Sequence, residues 1–230
     1  WDFWGGTLQG VMEKIPYLKK FGIYAIYLNP IFEARSNHRY DTADFEKIDS
    51  LLGDEEIFKK LVKGLHENGI KIILDGVFNH VGRNSKYFNF DGSHGDNIGA
   101  WQDKSSQYYK WFSFFGYDDY HSWWGIKDLP VVDKHNLEYQ KYVLDIIDYW
   151  TNLGVDGWRL DVADELPDFF IRKIRKKLDE YPDKILIGEV WEDASRKISY
   201  GDRRKYIYGE SLQSVMNYPF RDLIINSVKG

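Results

Sequence analysis

The residues of this sequence most able to do chemistry stand at the ends of short apolar runs. Arg159 and Asp161 close the run that begins at Gly157, Glu189 closes Ile185-Leu186-Ile187-Gly188, and His80 lies just past the run 71–77. Side chains two apart on an extended segment share a face, so Arg159 and Asp161 lie side by side. A guanidinium beside a carboxylate favours the ionised form, which suits a nucleophile. Glu189 has Ile187 before it and Val190-Trp191 after it. An apolar setting of that kind predicts a raised pKa, as a general acid requires. Two carboxyls with opposed environments on neighbouring strands are the equipment of glycosidic-bond cleavage, and a separation of about 5–5.5 Å implies a covalent intermediate and retention. A plainer reading of the same residues is an Arg159–Asp161 ion pair with Glu189 capping the next helix.

The elements that must position these residues alternate along the chain. Thr7 is a plausible helix cap, and Leu8, Val11, Met12, Ile15, Leu18 and Phe21 follow at helical spacing up to Gly22, predicting one amphipathic helix. Residues 25–28 form an apolar run before Asn29-Pro30 and read as a buried strand. A second helix starts near Asp54 and stops at Asn68-Gly69, with the strand 71–77 directly after it. The third helix runs from about Asn136 to Gly154 and is followed by a strand through Asp161. The fourth starts at Pro167, halts at Tyr181-Pro182, and leads to the strand ending at Glu189. Residues 214–216 are a weaker strand candidate. This rhythm indicates a parallel sheet, in a barrel or an open doubly wound form. In either form the carboxyl ends of the strands surround the site. One connection breaks the rhythm. Residues 81–133 are polar, glycine-containing and aromatic-rich, and read as an inserted subdomain over the site between the barrel parts 1–80 and 134–230.

Composition narrows the partners. The 36 acidic and 31 basic residues are interspersed and leave a formal charge of −5, so no basic face is ready for nucleic acid. Aromatic residues make up 17% of the chain, including 9 Trp and 17 Tyr. Most belong in a core, yet flat rings with a polar edge also suit sugars. Cysteine is absent, which removes disulfide, thiol and thiolate-metal chemistry. No apolar run reaches the roughly 20 residues of a membrane helix, so a membrane is not an expected partner, and the stretch 1–6 has no charged leader. It reads as the middle of a domain, and the compartment stays open.

Three stretches then carry a resemblance. Asp75-Gly76-Val77-Phe78-Asn79-His80, Gly157-Trp158-Arg159-Leu160-Asp161-Val162-Ala163 and Gly188-Glu189-Val190-Trp191 resemble, in order and interval, three of the four conserved regions of glycoside hydrolase family 13, the α-amylase family. The stretches 37–45 and 216–220, with Leu129-Pro130, further resemble its neopullulanase, cyclomaltodextrinase and maltogenic amylase branch. The resemblance implies an α/β fold, a TIM-type (β/α)8 barrel, and retaining hydrolysis of α-glucosidic bonds in maltooligosaccharides, cyclodextrins, starch or pullulan. Transglycosylation, α-1,6-glucosidase action and non-catalytic sugar binding are the alternatives. It makes Asp161 the nucleophile and Glu189 the acid/base, with Arg159 and His80 holding the nucleophile and the sugar, Tyr40 stacking on that sugar, and Asp75 orienting the site by hydrogen bonds. Asn79 has a structural role or binds calcium in relatives. No cofactor is required, and calcium is doubtful because Thr7 stands where calcium-binding members of the branch carry Asp. Homo-oligomers occur in the branch. Counted in the family's order, the strands run from the second to the sixth. The first strand, the last two and a third catalytic Asp, which follows a His near the seventh strand, would lie outside this sequence. The chain alone is therefore expected to be inactive.

Overall fold

The computed structural model describes residues 5–229, so residues 1–4 of the stretch read for a leader lie outside the described residues. Thr7 caps α1 (Leu8–Glu13), its hydroxyl accepting from Gly10 N at 3.0 Å. The single helix predicted up to Phe21 is two, because α2 (Ile15–Lys20) starts afresh after Lys14. Pro16, in the first turn of α2, has no N–H with which to continue the α1 ladder. After β1 (Ala25–Tyr27) comes a hairpin the sequence reading missed, β2 (Phe32–Ala34) antiparallel to β3 (Thr42–Ile48). Asp54 caps α3 (Glu55–Glu67) by accepting from Ile57 N at 2.8 Å, and β4 (Lys71–Gly76) follows.

Within residues 81–133 the regular pieces are β5 (Phe114–Phe115) and β6 (Asp119–Tyr120), with short 3₁₀ turns. The segment has an aromatic centre of its own: Phe88 lies against Trp101, Phe112, Phe114 and Tyr120, with centroids 4.6–6.0 Å apart. A bridge from His80 to Val131 ties its ends together, and one from Phe112 to Val132 joins its interior to its last residues. The chain continues with α4 (Leu137–Asn152), capped by Asn136, then β7 (Gly157–Leu160), α5 (Asp168–Leu178) and β8 (Ile185–Gly188). A small hairpin of β9 (Ile198–Ser199) and β10 (Asp202–Arg203) precedes β11 (Ser214–Val215) and α6 (Tyr218–Lys229).

The main sheet is parallel, in the order β1-β4-β7-β8-β11, and curls as part of a TIM-type barrel. Strands neighbour one another in chain order because each crossover, by α3, α4, α5 and then the segment holding β9 and β10, returns the chain to the growing edge. Two registers fix which strand ends meet: Asp75 pairs with Arg159, and Leu160 with Gly188. Gly157 makes the β7–β8 pairing possible at this spacing, since a Cβ there would sit 2.4 Å from Ile185 Cγ2 and 2.6 Å from Ile185 O. Behind the sheet, the fully buried Trp150 of α4 packs against Phe32 of the hairpin and Phe58 of α3, at 5.2 and 5.3 Å. Its indole N–H donates to Phe45 O at 3.0 Å.

Candidate active site

The strand register assembles the site. Asp161 follows Leu160 and Glu189 follows Gly188, so the two carboxyl residues leave paired positions on adjacent parallel strands. The ladder continues into both, with Asp161 N donating to Gly76 O at 3.2 Å and Glu189 N to Leu160 O at 2.9 Å. Neighbouring strands lie about 4.8 Å apart. Each residue sits one position beyond the strand in which the sequence reading put it.

One guanidinium serves three acids. Arg159 NH1 donates to Asp75 Oδ1 at 2.7 Å, Asp75 Oδ2 at 2.9 Å and Asp161 Oδ1 at 2.8 Å, while NH2 meets Glu189 Oε2 at 2.9 Å. Its Nε reaches Met216 Sδ at 3.3 Å. Val162 N also donates to Glu189 Oε2, at 2.9 Å, and Tyr218 OH to Oε1, at 3.2 Å. Val162 has φ +39°, a left-handed conformation that a β-branched residue adopts only under strain. The turn after Asp161 is thus bent so that its next N–H faces Glu189.

In this setting both carboxyls shift in the direction opposite to that expected from the sequence. Burial pushes Asp161 well above the ordinary carboxylate range, and the nearby Asp75 adds to this against the opposing pull of Arg159. Asp75 is also raised, chiefly by burial. Burial would raise Glu189 too, but Arg159, Trp191, the Val162 N–H and Tyr218 together hold it below its usual value. Sequence reasoning credited Arg159 to Asp161 alone. In the fold it is shared across three strands, and Glu189, the least buried of the three acids, collects further donors.

His80 is buried, and desolvation pulls it down to about 3, so it is neutral at pH 7. Its ring stacks on Trp123, with centroids 5.4 Å apart, and its Nδ1 lies 3.2 Å from Asn79 Nδ2. The Asn79 carboxamide oxygen accepts from Lys134 Nζ at 2.7 Å. Burial lowers Lys134 to about 8, which leaves it mostly an ammonium at pH 7. Tyr40 lies in the turn between β2 and β3, its ring centroid 6.0 Å from Arg159 Cζ.

A cavity of about 830 Å³ brings together Tyr40, His80, Arg159, Asp161 and Glu189, with Trp123 and Trp191 on its wall. Asp75 and Asn79 do not line it; each touches residues that do. Sequence reasoning missed Tyr27, whose hydroxyl donates to Asp75 Oδ2. The rule that found Glu189 does not single it out, because the apolar run continues through Leu28. It also missed Trp124, which has φ +51°, is 65% exposed and stands edge-on to Trp191 at 5.7 Å. Among the described residues, no group of three or more His, Asp or Glu is disposed to hold a metal ion.

Residues 2–230 match the family described as alpha amylase, catalytic domain. The chain is 40% identical over 230 residues to an intracellular maltogenic amylase of Bacillus subtilis, covering 97% of this chain and 36% of that protein. It is 41% identical over 252 residues to an amylopullulanase of Thermoanaerobacter thermohydrosulfuricus, covering 99% of this chain and 16% of that protein. Among solved structures, the maltose complex of cyclic alpha-maltosyl-(1→6)-maltose hydrolase from Arthrobacter globiformis superimposes with a TM-score of 0.84 at 33% identity, covering 97% of this chain and 49% of the other. The chain thus spans between about a sixth and about a half of the length of these relatives.

Proposed function

Given that the chain belongs to the α-amylase catalytic-domain family, we propose that it contributes the nucleophile and the acid/base to retaining hydrolysis of α-glucosidic bonds in maltooligosaccharides and related α-glucans. The observation that supports this best is the paired exit of Asp161 and Glu189 from β7 and β8 onto the two nitrogens of one guanidinium. That pairing is compatible with the short carboxyl separation of retaining enzymes.

In this reading a glucose ring lies in the cavity with its face on Tyr40 and hydroxyls within reach of His80 and Arg159. An Asp161 oxygen attacks the anomeric carbon, the bond from that carbon to the glycosidic oxygen breaks, and Glu189 gives its proton to the departing oxygen. Glu189, now ionised, takes a proton from water, the hydroxide portion attacks the same carbon, and Asp161 is released. Substrate also corrects the charge pattern of the free site. A sugar displaces water from Glu189 and so favours its protonated form, while positive charge growing on the ring favours ionised Asp161.

The test is Asp161→Asn and Glu189→Gln in the full-length enzyme, assayed on maltotriose. Each is expected to lose several orders of magnitude in kcat while still binding sugar. A glycosyl fluoride, which needs no protonation to leave, should restore the glycosylation step of Glu189→Gln. Activity above about a tenth of wild type, an effect of only about 1.4 kcal/mol, overturns the role given to that residue.

A further inference from the structure

Asn79 has two chemically different ends, and its neighbours dictate which faces which. Lys134 Nζ lies 2.7 Å from one end and His80 Nδ1 3.2 Å from the other. An ammonium can only donate, so the end at Lys134 is the carbonyl oxygen. The end at His80 is then the amide nitrogen, which also only donates. His80 Nδ1 must therefore accept, and the single proton of the neutral ring resides on Nε2. The stack on Trp123 fixes the plane of the ring but not which nitrogen is protonated.

Two further observations point the same way. Lys134 is only 8% exposed, and among the described residues no carboxylate lies within ion-pair distance of it; its near acceptors are the side-chain and backbone oxygens of Asn79. A buried ammonium is costly, and here it is directed at one carboxamide. At the other end of the relay, His80 Nε2 is buried and makes no hydrogen bond of ordinary geometry, on a ring that feels the backbone of Tyr40 and lines the 830 Å³ cavity.

We propose that Lys134, acting through Asn79, is a positioning residue that holds His80 as the neutral Nε2–H tautomer, so that the ring offers a hydrogen-bond donor to a sugar hydroxyl; this rests on the glycosidase reading of the cavity. Lys134 lies 54 positions from His80 on the far side of residues 81–133, so the relay also joins the two ends of that segment.

Nitrogen NMR of the full-length protein labelled at histidine reads the tautomer directly, without activity. At pH 7 the wild type is expected to show the His80 proton on Nε2. Asn79→Asp keeps the shape but replaces the donor with an acceptor, so the proton should move to Nδ1. Lys134→Met should free the amide to turn and bring the two nitrogen shifts together. Both variants should raise KM for maltotriose by about tenfold, with a smaller change in kcat. A wild-type proton on Nδ1, or a tautomer unchanged in Asn79→Asp, overturns the relay, and the wild-type spectrum decides this even if a variant fails to fold. An inverted tautomer with unchanged KM overturns the donor's role toward sugar. Absence of glucan binding by the wild type sinks the glycosidase reading instead, and is told apart because the spectra still report on the relay.

Discussion

Arg159 carries one positive charge and meets three carboxyls, so at the residue scale the charge of each acid depends on the other two. Asp161 and Glu189 were legible as candidates because each stands where an apolar run ends, and His80 because it closes the stretch 75–80 that resembles a family motif. Their protonation was not legible, since it depends on burial, on the charge of Asp75 from β4, and on donors from Arg159 of β7, the Val162 N–H and Tyr218 that only the fold brings together. His80 gives the clearest pH signature. Its folded value, about 3, lies below the ordinary 6.5, so the folded state takes up its proton less readily than the unfolded chain. The associated stability is complete above about pH 6.5 and is lost as pH falls toward 3. By pH 4.5 the loss is roughly 2–3 kcal/mol. Asp156 and Glu189, both lowered, add losses of the same sign, whereas the raised Asp75 and Asp161 favour folding at low pH and weaken it as pH rises. Urea unfolding of wild type and His80→Gln at pH 7 and 4.5 cancels these shared contributions. The variant should show an acid-induced loss smaller by that amount, and equal losses would mean that His80 is not held neutral.

The elements differ in how visible they were. Helices α3 and α4 were legible because Asp54 and Asn136 are side-chain caps, and their apolar faces repeat with the helical period. The hairpin β2–β3 was not. Its register is irregular, with shifts on either side of Glu33, and the left-handed Arg39 before Tyr40 has no glycine to announce the turn. Yet that hairpin delivers Tyr40 to the cavity. Between β7 and β8 the spacing rests on the missing side chain of Gly157. Gly157→Ala should force the strands apart at the end opposite the carboxyls of Asp161 and Glu189, destabilise the protein by about 1–3 kcal/mol, and, on the proposed roles of those two residues, reduce kcat by disturbing their pairing. Denaturation and kinetics on one preparation check both effects, and a variant unchanged in both would show that the two strands can be re-spaced freely.

For the molecule as a whole, a parallel sheet with its site at the carboxyl ends followed from the alternation of strands and helices, whereas the internal packing of residues 81–133 did not. That segment is held by clustered rings such as Phe88, Trp101 and Tyr120, whose sequence spacing follows neither a strand nor a helix period. Trp150 gathers α3, α4 and the hairpin at one point. Trp150→Ala should cost about 3–5 kcal/mol in urea unfolding, and a cost below about 1 kcal/mol would deny it that role. The shared guanidinium of Arg159 has a consequence for how such a site can change over generations. Replacing any one of its three acids alters the charge felt by the remaining two, so the effect of a second substitution depends on which came first. Substitutions at Asp75, Asp161 and Glu189 are therefore expected to be strongly non-additive, whereas one at a ring outside that grip, such as the exposed Trp124 beside Trp191, should combine with them nearly additively.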